Sequence, residues 1–220
     1  PPSPALFESV WTRSRGNPFF AEKLLSEGDP AGLPNALKAV GETLSRVRAD
    51  IDPSKALIGF AGAPWTVATY MIEGRSSNRE GARTFAYANP EKLDTLLEVL
   101  VDATARYLIM QAKSGAQALK IFESWAEGLA EDVFERIVIR PHRAIVERVR
   151  AAGVTAPFIG FPRGAGALVE IYAKAVPVEG VALDTQASAE LGRRLQASGK
   201  TIQGALDNLL LRAGGPALDA

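Results

Sequence analysis

Residues able to do chemistry gather in this chain where short apolar runs stop. Five such runs end in small or polar clusters: Gly62 and Pro64, Glu123-Ser124, Pro162-Arg163-Gly164, Asp184, and Gln203-Gly204. A strand that ends in such a turn frees backbone and side chains at the carboxyl end of a sheet, where α/β enzymes place their binding groups. The stretch 57–74 has this form at greatest length: it starts as a buried-type strand, breaks at Gly62 and Pro64, and continues through 66–71 as the start of a helix. Arg163 can clamp a carboxylate, because a guanidinium fork matches carboxylate geometry. Pairing with Asp184 or Glu123 to hold the strand ends together is an equal alternative. His142, the single histidine, follows Pro141 among Arg140, Arg143 and Arg148 and reads as an exposed helix position. With no cysteine, disulfides, thiolate zinc sites and cysteine nucleophiles are excluded.

The elements that would position these clusters alternate in type. Leu37, Val40, Leu44 and Val47 recur at helical spacing and predict an amphipathic helix over 35–49. A strand follows at 56–60. The polar segment 75–80 reads as an exposed loop. Asn89-Pro90 is a helix start, and the apolar face from Leu93 to Leu108 runs to a stop at Gly115. Then come a strand at 118–122, a helical pattern over 133–152 that Pro141 kinks or divides, and a strand at 157–161. A helix through Leu168, Ile171 and Tyr172, a strand at 181–184, a helix at 189–195 and a strand at 200–204 complete the order. Apolar strands alternating with helices argue for a parallel sheet. An α/β chain of the TIM-type (β/α)8 barrel class is expected, with about five of its eight strands readable. An open doubly wound sheet ranks second, because Arg163-Gly-Ala-Gly166 lacks the full glycine fingerprint of a dinucleotide fold. Residues 1–34, interrupted by six prolines, form a poorly defined segment, and 35–220 form the partial barrel.

Composition narrows the function classes. The chain has 220 residues, 47% of them hydrophobic, enough for one domain with a substantial core. Lys and Arg number 25, as do Asp and Glu, so the basic footprint of a nucleic-acid binder is missing. No window of about 18 apolar residues marks a membrane span, and the first residues lack the pattern of a secretory signal. These features predict a cytoplasmic protein that works without a metal.

Three motifs in series carry a family resemblance: Gly59-Phe-Ala-Gly-Ala-Pro-Trp-Thr66 with Thr69-Tyr-Met71, Ile121-Phe-Glu-Ser-Trp-Ala126, and Ile159-Gly-Phe-Pro-Arg-Gly-Ala-Gly166. Together they resemble the uroporphyrinogen decarboxylase family, over about 31–220. The resemblance implies a (β/α)8 barrel, usually a homodimer. It also implies removal of carbon dioxide from the four acetate arms of uroporphyrinogen III, giving coproporphyrinogen III without metal or organic cofactor. By motif position it assigns two substrate contacts. Tyr70 matches the tyrosine whose phenol reaches into the cleft, and Ser124 matches the hydroxyl residue at a strand end. Without the resemblance, Tyr70 reads as a ring buried with its hydroxyl satisfied and Ser124 as a helix cap. Trp65 and Trp125 read as packing residues.

The chain also departs from that family's pattern. Residues 1–34 contain no Arg-Gln-Ala-Gly-Arg stretch and no early strand ending in an aspartate, and the histidine-bearing Asn-Leu-Gly-His-Gly segment would lie beyond Ala220. Gln203-Gly-Ala-Leu-Asp-Asn208 stands where Gln-Gly-Asn-Leu-Asp-Pro is usual, and Asp184-Thr185 where Asp-Trp is common. A barrel without three neighbouring staves is expected to expose two strand edges and interior apolar residues, and to aggregate or rearrange unless residues 1–34 or a partner chain cover the opening. The alternative function is a catalytically inactive remnant that binds a porphyrinogen or a partner subunit. A zinc-dependent methyltransferase of the wider barrel superfamily is disfavoured by the absent cysteines.

Overall fold

A computed structural model describes residues 38–74 and 78–219. Residues 1–34, and the start of the loop expected at 75–80, therefore lie outside the described residues. Helix α1 (Lys38–Asp50) precedes strand β1 (Ile58–Gly62), and helices α2 (Pro64–Glu73), α3 (Glu80–Ala88) and α4 (Pro90–Lys113) lead to β2 (Ala118–Glu123). Helix α5 (Glu131–Phe134) runs through one wide π turn (Glu135–Ile139) into α6 (Arg140–Ala151), and β3 (Phe158–Pro162) follows. Then come α7 (Leu168–Ala175), β4 (Gly180–Leu183), α8 (Ala189–Ala197), β5 (Thr201–Gly204) and the short α9 (Asn208–Ala213) and α10 (Pro216–Asp219).

The five strands are all parallel and lie in the order β1-β2-β3-β4-β5, with Ile58 opposite Ala118, Leu119 opposite Phe158 and Val181 opposite Ile202. This order decides between the two expected architectures. Parallel crossovers are right-handed, so an order that never reverses keeps every connecting helix on one face, as in a barrel wall, whereas a doubly wound sheet reverses direction. The strands show the same asymmetry. Leu119, Ile121 and Glu123 of β2 are fully buried against the helices, while Lys120 and Phe122 between them are only partly covered. On β1, Phe60 remains 59% exposed beside Phe122, its ring centre 6.0 Å away. Apolar residues on the face away from the helices are thus open among the described residues, as expected for a wall of this kind.

The core lies between sheet and helices, where Trp65, Leu93, Leu100, Leu108, Phe134 and Phe158 are buried. Burying side chains of this size contributes about 1.5–3 kcal/mol each. The free side of β1 is satisfied in a way that residue patterns did not reveal. Gln111 of α4, 2% exposed, accepts from the Phe60 N–H and donates to the Phe60 C=O, both at 2.9 Å. The amide therefore replaces a neighbouring strand at that residue. Gly59 leaves room for it, since a Cβ there would stand 2.7 Å from Gln111 Oε1.

Pro141 neither ends nor divides its helix. It has no N–H to give to the preceding turn, and its ring crowds the carbonyl four residues back. The π turn immediately before it absorbs that misfit, so Glu131 to Ala151 runs as one helical rod.

Candidate active site

The site is built where β1, β2, β3 and β4 end. The turn after β1 is held to β2 by the Ala63 N–H, which donates to the Phe122 carbonyl at 2.9 Å. Pro64 begins α2 at the position that tolerates a missing N–H. Ala63, the N-cap residue, has no side chain to accept from the first turn. The neighbouring strand supplies the acceptor: Glu123 Oε2 accepts from the Thr66 N–H at 3.3 Å, and Oε1 accepts from the Thr66 hydroxyl. A carboxylate at a helix N-terminus is favoured by the unpaired N–H groups and by the dipole. Glu123 Oε1 also accepts from the Trp125 N–H at 3.3 Å, and Thr66 Oγ1 accepts from the Ser124 N–H at 2.7 Å.

Tyr70 follows Thr66 by one helical turn on α2 and is partly buried. Its ring meets the ring of Trp125 edge-on, with centres 6.0 Å apart. Since Trp125 directly follows Ser124, this contact brings Tyr70 close to the segment that bears Ser124, although neither residue lines the cavity beside the ends of β3 and β4. Over the same indole lies the Arg79 guanidinium, 4.3 Å from the ring centre, and Arg79 is ion-paired with Glu127. Trp65 is a packing residue as expected, 1% exposed, with Nε1 donating to the Trp125 carbonyl at 3.0 Å.

Arg163 corrects one expectation. It is exposed, and neither Asp184 nor Glu123 pairs with its guanidinium; Nη1 instead donates to the Ser124 carbonyl at 3.4 Å. Asp184 accepts from the Gly164 and Gln186 N–H groups at 2.9 and 3.1 Å, latching the ends of β3 and β4 together. Beside these ends opens a cavity of about 680 Å³, lined among others by Lys120, Phe161, Arg163, Asp184 and Gln203.

Lys120 escaped the sequence reading. Its Nζ donates to Gln203 Oε1 at 2.8 Å and lies 5.0 Å from the Phe161 ring centre. Burial pulls its pKa down, because desolvation disfavours the ammonium. The available signal was a lysine inside Ala-Leu-Lys-Ile-Phe: strand alternation puts it on the face opposite Leu119 and Ile121, facing away from the helices.

His142 corrects a second expectation, because it is fully buried rather than exposed. The rod Glu131 to Ala151 turns it inward, where its Nδ1 lies 2.8 Å from the Tyr172 hydroxyl and its Nε2 lies 3.9 Å from Glu123 Oε2. Burial, with Glu123 nearby, pushes the Tyr172 phenol well above its ordinary range. Among the described residues, no group of three or more His, Asp or Glu side chains is arranged to hold a metal ion.

A family model described as uroporphyrinogen decarboxylase (URO-D) matches residues 7–220. The protein named uroporphyrinogen decarboxylase in Phenylobacterium zucineum is 77% identical over 220 residues, covering 98% of this chain and 64% of that protein. Its namesake in Caulobacter vibrioides is 63% identical over 219 residues, covering 97% and 62%. The chain thus spans less than two thirds of the length of these relatives. A methyltransferase from Methanosarcina mazei superposes with a TM-score of 0.61 over 77% of this chain and 50% of that one, at 16% identity, a likeness that concerns the fold alone.

Proposed function

The chain belongs to the uroporphyrinogen decarboxylase family, and from that premise we propose that it forms part of the active-site wall of an enzyme converting uroporphyrinogen III to coproporphyrinogen III. Each acetate arm loses its carboxylate as carbon dioxide and its methylene takes up one proton, leaving a methyl group. Protonation of the pyrrole ring lets it accept the electron pair released by the departing carboxylate. The protein must then hold an anionic macrocycle and stabilise the charge that develops in the ring.

The observation that carries this reading is the contact of the Tyr70 ring with Trp125, the residue that follows Ser124. The reading has the Tyr70 phenol donate to a substrate carboxylate and the Ser124 hydroxyl make a second contact. Lys120 and Arg163 beside the cavity supply positive charge for the carboxylate arms. In this reading the protein works as a homodimer in the cytoplasm and needs no cofactor. Among the described residues, no helix is long and apolar enough to cross a membrane.

Anaerobic incubation with uroporphyrinogen III, with the products separated by chromatography, tests the proposal. Coproporphyrinogen III and carbon dioxide are expected in a ratio of about one to four, from the four acetate arms; binding without carbon dioxide release would refute it. Sedimentation equilibrium checks the dimer, and a monomer at micromolar concentration would refute that part.

A further inference from the structure

Glu123 is a carboxylate with no exposed surface, set immediately before Ser124. A buried carboxylate is costly unless its oxygens are bonded, so its partners show what it is used for. Two of its three hydrogen bonds go to Thr66, on α2, and the third to the backbone of Trp125. Thr66 in turn accepts from the Ser124 N–H. Glu123, the last residue of β2, and Ser124 after it are thereby tied to the first turn of α2, the helix that carries Tyr70 four residues later. Behind the carboxylate, His142 from α6 and Tyr172 from α7 close the remaining side. Close packing leaves the Tyr172 hydroxyl little room to move, since a Cβ on Gly160 would stand 2.1 Å from it.

We propose that Glu123 and Thr66 are positioning residues that lock the strand end bearing Ser124 to the helix bearing Tyr70, so that hydroxyl and phenol meet the substrate at a fixed separation. This rests on the function proposed above. Neither residue is assigned contact with the substrate. Their effect passes through the placement of Ser124 and Tyr70, where a displacement of about 1 Å can lower the rate by about 100-fold.

The test uses the full-length protein with uroporphyrinogen III as probe. Glu123→Gln keeps the side chain's size but replaces one acceptor oxygen with a donor, and Thr66→Val keeps its shape but loses the hydroxyl. Each is expected to lower kcat/KM by about 10-fold or more while circular dichroism and molar mass stay unchanged. Thr66→Ser, which restores the hydroxyl, is expected within about twofold of wild type. Adding Ser124→Ala to Glu123→Gln is expected to lower kcat/KM by no more than a further twofold, because two groups that act as one unit are not additive. Wild-type kcat/KM in folded Glu123→Gln, or losses that multiply in the double variant, would overturn the proposal.

Amide exchange at Ser124 reads the same lock without turnover. Exchange about 10-fold faster in Thr66→Val and Glu123→Gln supports the proposal, and unchanged exchange overturns it. A wild-type protein that releases no carbon dioxide, with both variants still showing this acceleration, would sink the functional reading and leave the lock standing.

Discussion

Gly160→Ala puts a single methyl group against the most closely packed point behind the site. In the structure a Cβ at position 160 would stand 2.1 Å from the Tyr172 hydroxyl oxygen and 2.6 and 2.7 Å from two of its ring carbons. A flexible surface side chain would swing aside at little cost. Tyr172 cannot, because it is fully buried and its hydroxyl is bonded to His142. The ring must shift by about 1 Å, an overpacking that costs about 1–3 kcal/mol. That shift also separates the phenol from His142 Nδ1, and leaving those buried groups unpaired adds about 1–3 kcal/mol. The sum, about 2–6 kcal/mol, is a large share of the ~5–15 kcal/mol that holds a domain folded. For a chain of this length it lowers Tm by about 4–24 °C. Urea unfolding followed by tryptophan fluorescence measures it, with an unchanged m-value certifying that only stability has moved. Gly160→Ala combined with Tyr172→Leu should be more stable than the sum of the two single losses, by about 1–2 kcal/mol, because the smaller side chain makes room for the methyl group. A loss below about 0.5 kcal/mol in Gly160→Ala, or strict additivity in the double variant, would refute the account of this contact.

Other expectations follow from the same geometry. The Tyr172 phenol is held above its ordinary pKa of 10.0 by burial, so its contribution to stability is complete below pH 10 and is lost as pH rises beyond it. In that window the folded form keeps a proton that the unfolded chain has released. Alkaline unfolding should therefore steepen by up to about 1.4 kcal/mol per pH unit above pH 10, and Tyr172→Phe should remove that slope. Gln111→Leu should cost about 1–3 kcal/mol and speed amide exchange at Phe60, because it leaves a backbone N–H and C=O without partners; unchanged exchange would contradict the role given to that amide. Lys120→Gln should weaken binding of a carboxylated porphyrinogen about 10-fold and flatten its salt dependence, measured by fluorescence quenching, since one cation facing the cavity is lost. Tyr70→Phe and Ser124→Ala should each reduce kcat/KM by about 10-fold or more in the anaerobic assay, and a variant with full activity would remove that residue from the site.

Reading the sequence located the strands to within one or two residues because each is a short apolar run closed by glycine, proline or a charge, a local signal that does not depend on what packs against it. The stop at Gly115, which adopts a φ of 110°, and the start at Pro90 were legible for the same reason. The family was legible because three motifs recur in order. His142 was misjudged because its neighbours in sequence are arginines, while its neighbours in space are Glu123 and Tyr172, and the rod through Pro141 decides which way it faces. Of the two readings open for Arg163, pairing with a carboxylate fell away for a similar reason: the candidate partners were already occupied, Glu123 by Thr66 and Asp184 by the Gly164 and Gln186 N–H groups.

Residue types and their periods were thus enough to determine the alternation of strands and helices and the α/β class, since these depend on local propensity and on which face of each element is apolar, while the family was carried by the resemblance of three motifs. The unreversed strand order, the amide of Gln111 standing in for a strand, and the buried line from Thr66 through Glu123 and His142 to Tyr172 were decided only by the tertiary structure. Each joins residues 19 or more positions apart in the chain, and a contact formed over such a distance depends on how the helices settle against the sheet, which no local pattern records.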